Sequence, residues 1–117
     1  MNEPHRWTVV HLNQSVDQEF QKLPKEFQAK FMHLAALIEE FGLNQIGEPY
    51  VKHLEGKLWE MRIKTVSSGQ GRGIYCTWTG RQVVVLRYFI KKTPKTPIRE
   101  LRIANHRLKV LLEITGG

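Results

Sequence analysis

Apolar residues recur along this chain in two rhythms, and the change between them divides it. Phe27, Phe31, Leu34, Ile38 and Phe41 follow at spacings of 4, 3, 4 and 3, the repeat that lines one face of an α-helix. Gly42 comes directly after, a common helix terminator. Pro24 suits the first turn of this helix and stops the one before it. That earlier helix is predicted from Ser15 to Leu23, with Ser15 and Gln18 as a capping box and Val16, Phe20 and Leu23 on one face. Residues 15–42 therefore read as a helical hairpin whose apolar stripe packs on a sheet. Ahead of it, Trp7 to Leu12 alternates loosely and carries Thr and two Val, which predicts a first strand.

Beyond Gly42 the period changes. Residues 43–53 read as a loop, broken by Gly47 and Pro49. Leu58 to Val66 then alternates, with Trp59, Met61 and Ile63 on one face and Glu60, Arg62 and Lys64 on the other. Ser67 to Gly71 reads as a turn. Arg72 to Trp78 is the next predicted strand, and Gln82 to Ile90, after a tight connection, the last. Short turns imply antiparallel pairing. Two prolines exclude Thr93 to Pro97 from a sheet interior. Pro97 suits the start of a final helix to about Glu113, with Ile98, Leu101, Leu108 and Leu112 as its apolar edge. Arg99, Arg102, His106 and Lys109 form a basic stripe on another face. The predicted order is β-α-α-β-β-β-α: a single α+β domain over residues 1–117, with an antiparallel sheet, an N-terminal helical hairpin and a C-terminal helix.

Charge adds a functional direction. The net charge is +7, but residues 1–48 hold 4 basic and 7 acidic side chains, and residues 49–117 hold 14 and 4. The positive charge thus belongs to the strand-rich half. Such a field attracts polyanions, with nucleic acid as first candidate and an anionic membrane or an acidic protein as the others. Cys76 is the lone cysteine, so no intrachain disulfide can form, which fits a reducing compartment; its strand pattern marks it as a small core residue. Neither an apolar leader nor a membrane-length apolar run is seen, and a soluble, cytoplasmic protein is expected.

The chain lacks several kinds of chemistry. Gly69-Gln70-Gly71-Arg72-Gly73 precedes a strand and not a helix, so it reads as a hairpin turn and not a phosphate loop. The five histidines are scattered, no Cys/His cluster exists, and Asp17 is the lone aspartate; neither a metal site nor a cofactor is expected. What remains is a group of cations on adjacent short strands: Arg62, Arg72, Arg87, then Lys91 and Lys92. Strands lie about 4.8 Å apart, close enough for such side chains to meet one phosphate, and an arginine fork holds two phosphate oxygens. Trp59, Tyr75, Trp78, Tyr88 and Phe89 interleave with them as candidate base-stacking residues. The same residues have plainer readings. Arg62 beside Glu60 fits a surface ion pair, Trp59 fits the core beside Met61 and Ile63, and Lys91-Lys92 fits a solubilising strand end.

Three segments resemble a known family. Leu54-Glu55-Gly56-Lys57-Leu58-Trp59-Glu60-Met61-Arg62 is similar to the "L-x-G-x-L-W-E-L-R" element of HigB-type toxins of the RelE superfamily. Arg72-Gly73-Ile74-Tyr75 is similar to that family's next strand. Phe89-Ile90-Lys91-Lys92-Thr93-Pro94-Lys95-Thr96-Pro97 resembles its "F-x-K-K-T-x-K-T-P" block, and Ile103-Ala104 with Arg107-Leu108 its closing "A-x-x-R". The resemblance implies a RelE-like fold. It also implies the toxin half of a type II toxin–antitoxin pair: a metal-independent endoribonuclease that cuts mRNA on the ribosome and leaves a 2′,3′-cyclic phosphate. Its partners would be a helix-turn-helix antitoxin similar to HigA, mRNA and the ribosome. By the same resemblance Arg62, Arg72, Lys91 and Lys92 are the candidate catalytic residues, and Lys64, Tyr75, Arg87, Tyr88 and Lys95 the RNA-binding ones. Many relatives carry a histidine two residues before the phenylalanine of the Lys-Lys-Thr block. Arg87 stands there in this chain, and arginine does not readily accept a proton. Two other readings share the fold: a ParE-like inhibitor of DNA gyrase, and an inactive, antitoxin-binding co-repressor.

Overall fold

The computed structural model describes residues 6–66 and 69–115. Strand β1 (Thr8–His11) leads into helices α1 (Gln14–Lys22) and α2 (Lys25–Phe41), followed by a 3₁₀ turn at Leu43–Gln45. Strands β2 (Val51–Glu55), β3 (Leu58–Thr65), β4 (Gly69–Trp78) and β5 (Gln82–Lys91) come next, and helix α3 (Ile98–Thr115) closes the chain. The sheet order is β1-β5-β4-β3-β2. β2 to β5 form an antiparallel meander, and β1 joins the far edge parallel to β5.

The α+β architecture agrees with the sequence pattern, while the sheet differs in two respects. It is mixed, because the α1–α2 hairpin carries the chain back across the sheet before the meander starts. It also has a strand, β2, where residues 43–53 read as loop. Val51-Lys52-His53-Leu54-Glu55 is too polar on its outer side to show a strand rhythm. Pairing supplies what patterning lacks: Val51, Lys52 and His53 lie opposite Met61, Glu60 and Trp59, and Gly56 turns the hairpin at φ +51°.

The helical hairpin and α3 cover opposite faces. Phe27, Phe31, Leu34 and Ile38 of α2 pack with Met61, Ile63, Tyr75, Val83, Val85 and Tyr88. Ala104 and Leu108 of α3 pack with Leu58, Ile74, Cys76, Val84, Leu86 and Phe89. Burial pushes the Cys76 thiol up to about 11, although Lys57 opposes it. Phe41 and Ile98, expected in apolar stripes, stand exposed. Trp59 does share a face with Met61 and Ile63, but at the far end of the sheet; it is 38% exposed and meets the His53 ring edge-on at 4.8 Å. The cap of α1 is not Ser15 but Asn13, whose side chain accepts from the Val16 amide at 3.1 Å. The turn expected over Ser67 to Gly71 is shorter, for Gly69, Gln70 and Gly71 already pair with Thr65, Lys64 and Ile63; Ser67 and Ser68 lie outside the described residues. Gly71 belongs in the strand because a Cβ there would come within 2.9 Å of Ile63 and 3.1 Å of Phe27. The missing side chain is the space those two apolar groups fill.

One residue of β5 changes the face of everything after it. Tyr75 lies opposite Val85, and Ile74 opposite Arg87, so Leu86 is an extra, unpaired residue: a β-bulge. Val83 and Val85 face the hairpin. Strict alternation would send Arg87, Phe89 and Lys91 there too. The bulge reverses the phase, so Tyr88 faces the hairpin and Arg87, Phe89 and Lys91 face the α3 side.

β1 covers β5 only as far as Val85, and Glu19 of α1 closes the edge beyond. Its carboxylate accepts the Tyr88 amide at 3.2 Å and sits 2.7 Å from the guanidinium nitrogens of both Arg87 and Arg107. Arg87 also donates to Glu100 at 2.7 Å, and Arg107 to the Leu86 carbonyl at 2.7 Å. His11 adds a second tie between α1 and the sheet: Nδ1 lies 2.6 Å from Asp17 and Nε2 2.9 Å from the Tyr88 hydroxyl.

Burial alone would raise the Glu19 pKa, but the bonds from Arg107, the Tyr88 amide and Arg87 outweigh it and hold it below the ordinary 4.5. A depressed carboxylate stabilises the fold above its unfolded pKa, and that contribution is lost as pH falls through the folded value. Glu19→Gln is therefore expected to cost roughly 3 kcal/mol at pH 7, and its urea-unfolding stability to fall less than the wild type's between pH 7 and pH 3. Equal acid sensitivity of the two proteins would show that Glu19 is not a source of the acid effect. Gly71→Ala is expected to cost about 1–3 kcal/mol through overpacking against Ile63 and Phe27, read as a lower urea midpoint.

Candidate functional site

Because α3 crosses only part of the sheet, one end of that face stays uncovered. Cross-strand register shows what it carries. Arg62 lies directly opposite Arg72, Lys64 opposite Gln70, and Gln70 opposite Lys91. Directly opposed residues of an antiparallel pair point to the same face with Cβ atoms about 5 Å apart. Three strands thus bring Arg62, Lys64, Arg72 and Lys91 together. Lys52 of β2, opposite Glu60, adds a cation that pattern reading missed because it lay in the supposed loop.

Like charges placed opposite each other destabilise a sheet, and one carboxylate offsets this pair. Glu60 Oε1 lies 3.5 Å from Arg72 Nε and 3.7 Å from Arg62 Nε, and Glu60 is only 2% exposed. The sequence showed Glu60 as half of a surface pair; it is instead the buried counter-ion beneath the site. The Thr96 hydroxyl donates to it at 3.3 Å, which ties the segment after Lys91-Lys92 to the two arginines. Arg72, itself 2% exposed, donates to the Gly71 carbonyl at 3.0 Å and to Gln70 Oε1 at 2.6 Å. The Nε atoms of Arg62 and Arg72 are buried with no hydrogen-bond partner among the described residues. Both Nε atoms face the Glu60 carboxylate without bonding it, so an added anion would meet this cluster first through Arg62, whose side chain is 27% exposed, and through Lys64 and Lys91.

Electrostatics in this cluster follow from its charge. Burial first, then the charge of Arg62, lowers the pKa of Arg72, with Glu60 opposing. Lys91 is held below its ordinary 10.5 by partial burial and then by Arg72, with Arg62 and Lys52 acting the same way and Glu60 against them. Arg72 and Lys91 are thus both moved down, and of the two the lysine starts from the lower ordinary value.

The other expected residues lie elsewhere. Tyr75 and Tyr88 are 1% and 5% exposed in the core beneath the helical hairpin, on the opposite face of the sheet. Their phenols are raised above the usual range by burial, and neither ring is open for a base to stack on. Arg87 faces α3, but its guanidinium is committed to Glu19 and Glu100, whose bonds raise its pKa although burial opposes them. At this position the chain has built a structural ion pair. Lys92 and Lys95 are exposed, in the segment that follows Lys91. An exposed aromatic, Tyr50, does stand near the cluster, and its backbone carbonyl accepts from the Arg62 amide at 2.8 Å. Nothing in the sequence singled it out, because its segment has no apolar rhythm of its own.

With this geometry in view, the comparisons place the chain. Its fold is that of RelE-like proteins: a solved structure of a double mutant of the E. coli toxin RelE in the free state superposes with a TM-score of 0.61 at 19% identity, covering 87% of this chain and 97% of that one. No curated protein matches the sequence. A family model described as "Phage derived protein Gp49-like (DUF891)" matches residues 18–109, and the chain belongs to that family. Among the described residues no helix is long and apolar enough to cross a membrane.

An anion site at Arg62 and Arg72 makes a direct prediction. Millimolar inorganic phosphate is expected to raise the melting temperature of the wild-type protein, since a ligand that binds only the folded state stabilises it. The shift should vanish in Arg62→Met and in Arg72→Met and persist in Arg99→Met, which changes only the exposed stripe of α3. An equal shift in all four proteins would mean that phosphate binds elsewhere.

Proposed function

We propose that the protein is the toxin of a type II toxin–antitoxin pair, similar to HigB-type toxins, and a metal-independent endoribonuclease acting on mRNA at the ribosome. The observation that carries this reading is the opposition of Arg62 and Arg72 across β3 and β4, with Lys91 on the same face. The Gp49-like family and the RelE-like fold support it. The antitoxin would be a small helix-turn-helix protein similar to HigA, and the site of action the cytoplasm.

The reaction is a transesterification. The ribose 2′-oxygen attacks the adjacent phosphorus, the bond from phosphorus to the 5′-oxygen breaks, and a 2′,3′-cyclic phosphate and a 5′-hydroxyl result. The two arginine forks hold the non-bridging oxygens, whose negative charge grows in the transition state, and donors aimed at developing charge are strong catalysts. Lys91, with its pKa lowered, takes the proton of the 2′-hydroxyl in its neutral form, and the departing 5′-oxygen takes a proton from solvent. Lys64, Lys92 and Lys95 attract the flanking phosphates. Arg87 takes no part in proton transfer and fixes α1 and α3 on the bulged strand.

Purified protein mixed with ribosomes and mRNA is expected to yield fragments ending in cyclic phosphate, in the presence of EDTA. A 2′-deoxy residue at the cut position should block cleavage there. Lys91→Gln is expected to lower the rate by about 100-fold or more. The wild-type rate should rise with pH and level off below pH 10.5, the ordinary lysine value. A rate that falls with rising pH would assign Lys91 a cationic role, and intact transcripts during growth arrest with blocked supercoiling would favour the ParE-like reading.

A further inference from the structure

A cleft of about 740 Å³ opens from Arg62 and Arg72 and runs away from Lys91, over the edge of β3 toward α2. It exists because β2 stops pairing at Val51 opposite Met61, so residues 46–50 stand off from β3 as a separate wall. The Tyr50 carbonyl anchors that wall to the Arg62 amide at 2.8 Å. The volume falls within the range of about 300–1,000 Å³ common for ligand sites.

Its lining is divided by chemistry. Leu34, Leu37, Ile46 and Ile63 make an apolar floor, and Tyr50 stands on the lip, 55% exposed. Lys30 and His33 come from α2, and Arg62, Lys64 and Arg72 from the sheet. Four of the lining residues are Lys or Arg, against one acid, Glu48. An apolar floor with an aromatic lip and cations from both α2 and the sheet suits a flat, apolar ring carrying an anionic group on each side. A nucleobase between two phosphates has that form, and an aromatic side chain stacks on any base.

We infer that this cleft is a nucleotide subsite: Tyr50 stacks on the base next to the scissile phosphate, and Lys30 meets the following phosphate. The inference rests on the ribonuclease reading above and extends it to residues outside the cation cluster. Among the described residues the hydrogen bonds of Tyr50 involve only its backbone, so its side chain can be changed while the bonds that hold the wall stay in place.

The test is fluorescence anisotropy with a labelled four-nucleotide RNA made uncleavable by 2′-deoxy substitution. Tyr50→Ala should weaken binding about ten-fold, since stacking contributes this much per base, while Tyr50→Phe should bind as the wild type does. With an abasic residue next to the central phosphate, the wild type and Tyr50→Ala should bind alike. Lys30→Gln should reduce the salt slope of log affinity by about 0.7, one single-strand phosphate contact. Unchanged binding by Tyr50→Ala, with binding lost in Arg72→Met, would overturn the subsite and leave the ribonuclease reading standing. Failure of the wild type to bind the RNA at all would likewise overturn the subsite, while the ribonuclease reading stands or falls on the cleavage assay with ribosomes.

Discussion

The extra residue in β5 is the constraint on which the rest depends. A strand presents its side chains to alternate faces, so one inserted residue reverses the assignment of every residue beyond it. Leu86 is that insertion. Through it Tyr88 enters the core beneath the hairpin and Lys91 emerges beside Arg72. Without the reversal a lysine would point into the apolar core and a tyrosine into the cation cluster. The bulge also lets Arg87 and Leu86 share the α3 face, where one finds a carboxylate pair and the other the core.

Two carboxylates keep this arrangement in place from opposite sides. Glu19 comes from the acidic first half of the chain, closes the uncovered edge of β5, and binds α1, β5 and α3 through Arg87 and Arg107. Glu60 lies beneath Arg62 and Arg72 and tempers a repulsion that the register imposes. They differ in what they leave over. Around Glu19 the cations are engaged, so the network is structural. Around Glu60 the cations Arg62, Arg72, Lys52 and Lys91 outnumber the carboxylate, an excess of positive charge that favours an added anion. That contrast separates Arg87 from Arg62 and Arg72, three arginines that look alike in the strand pattern.

The candidate site was partly legible before the fold was known. Arg62, Arg72 and Lys91 fall on three successive strands joined by short turns, so their neighbourhood followed from chain order alone. Tyr75 and Tyr88 did not follow, because an aromatic in an alternating strand reads equally well as core or as platform until the opposite face is covered. Tyr50 and Lys52 were illegible, since both belong to a segment whose order comes from pairing with β3 and not from its own apolar rhythm.

By itself the sequence determined the helical hairpin, the meander and the concentration of positive charge in the second half, because these depend on local spacing and on side-chain chemistry. Segment resemblance added the expectation of a RelE-like fold, with which the solved-structure match agrees. Only the tertiary structure decided which face each residue of β5 takes, where the sheet is left uncovered, and which cations are already spoken for. Those are long-range matters: Glu19 is 68 residues from Arg87, and β2 becomes a strand only by meeting β3. No local pattern carries the position of a distant partner, and it is the partner that makes Arg87 a brace while Arg62 and Arg72 share a single carboxylate.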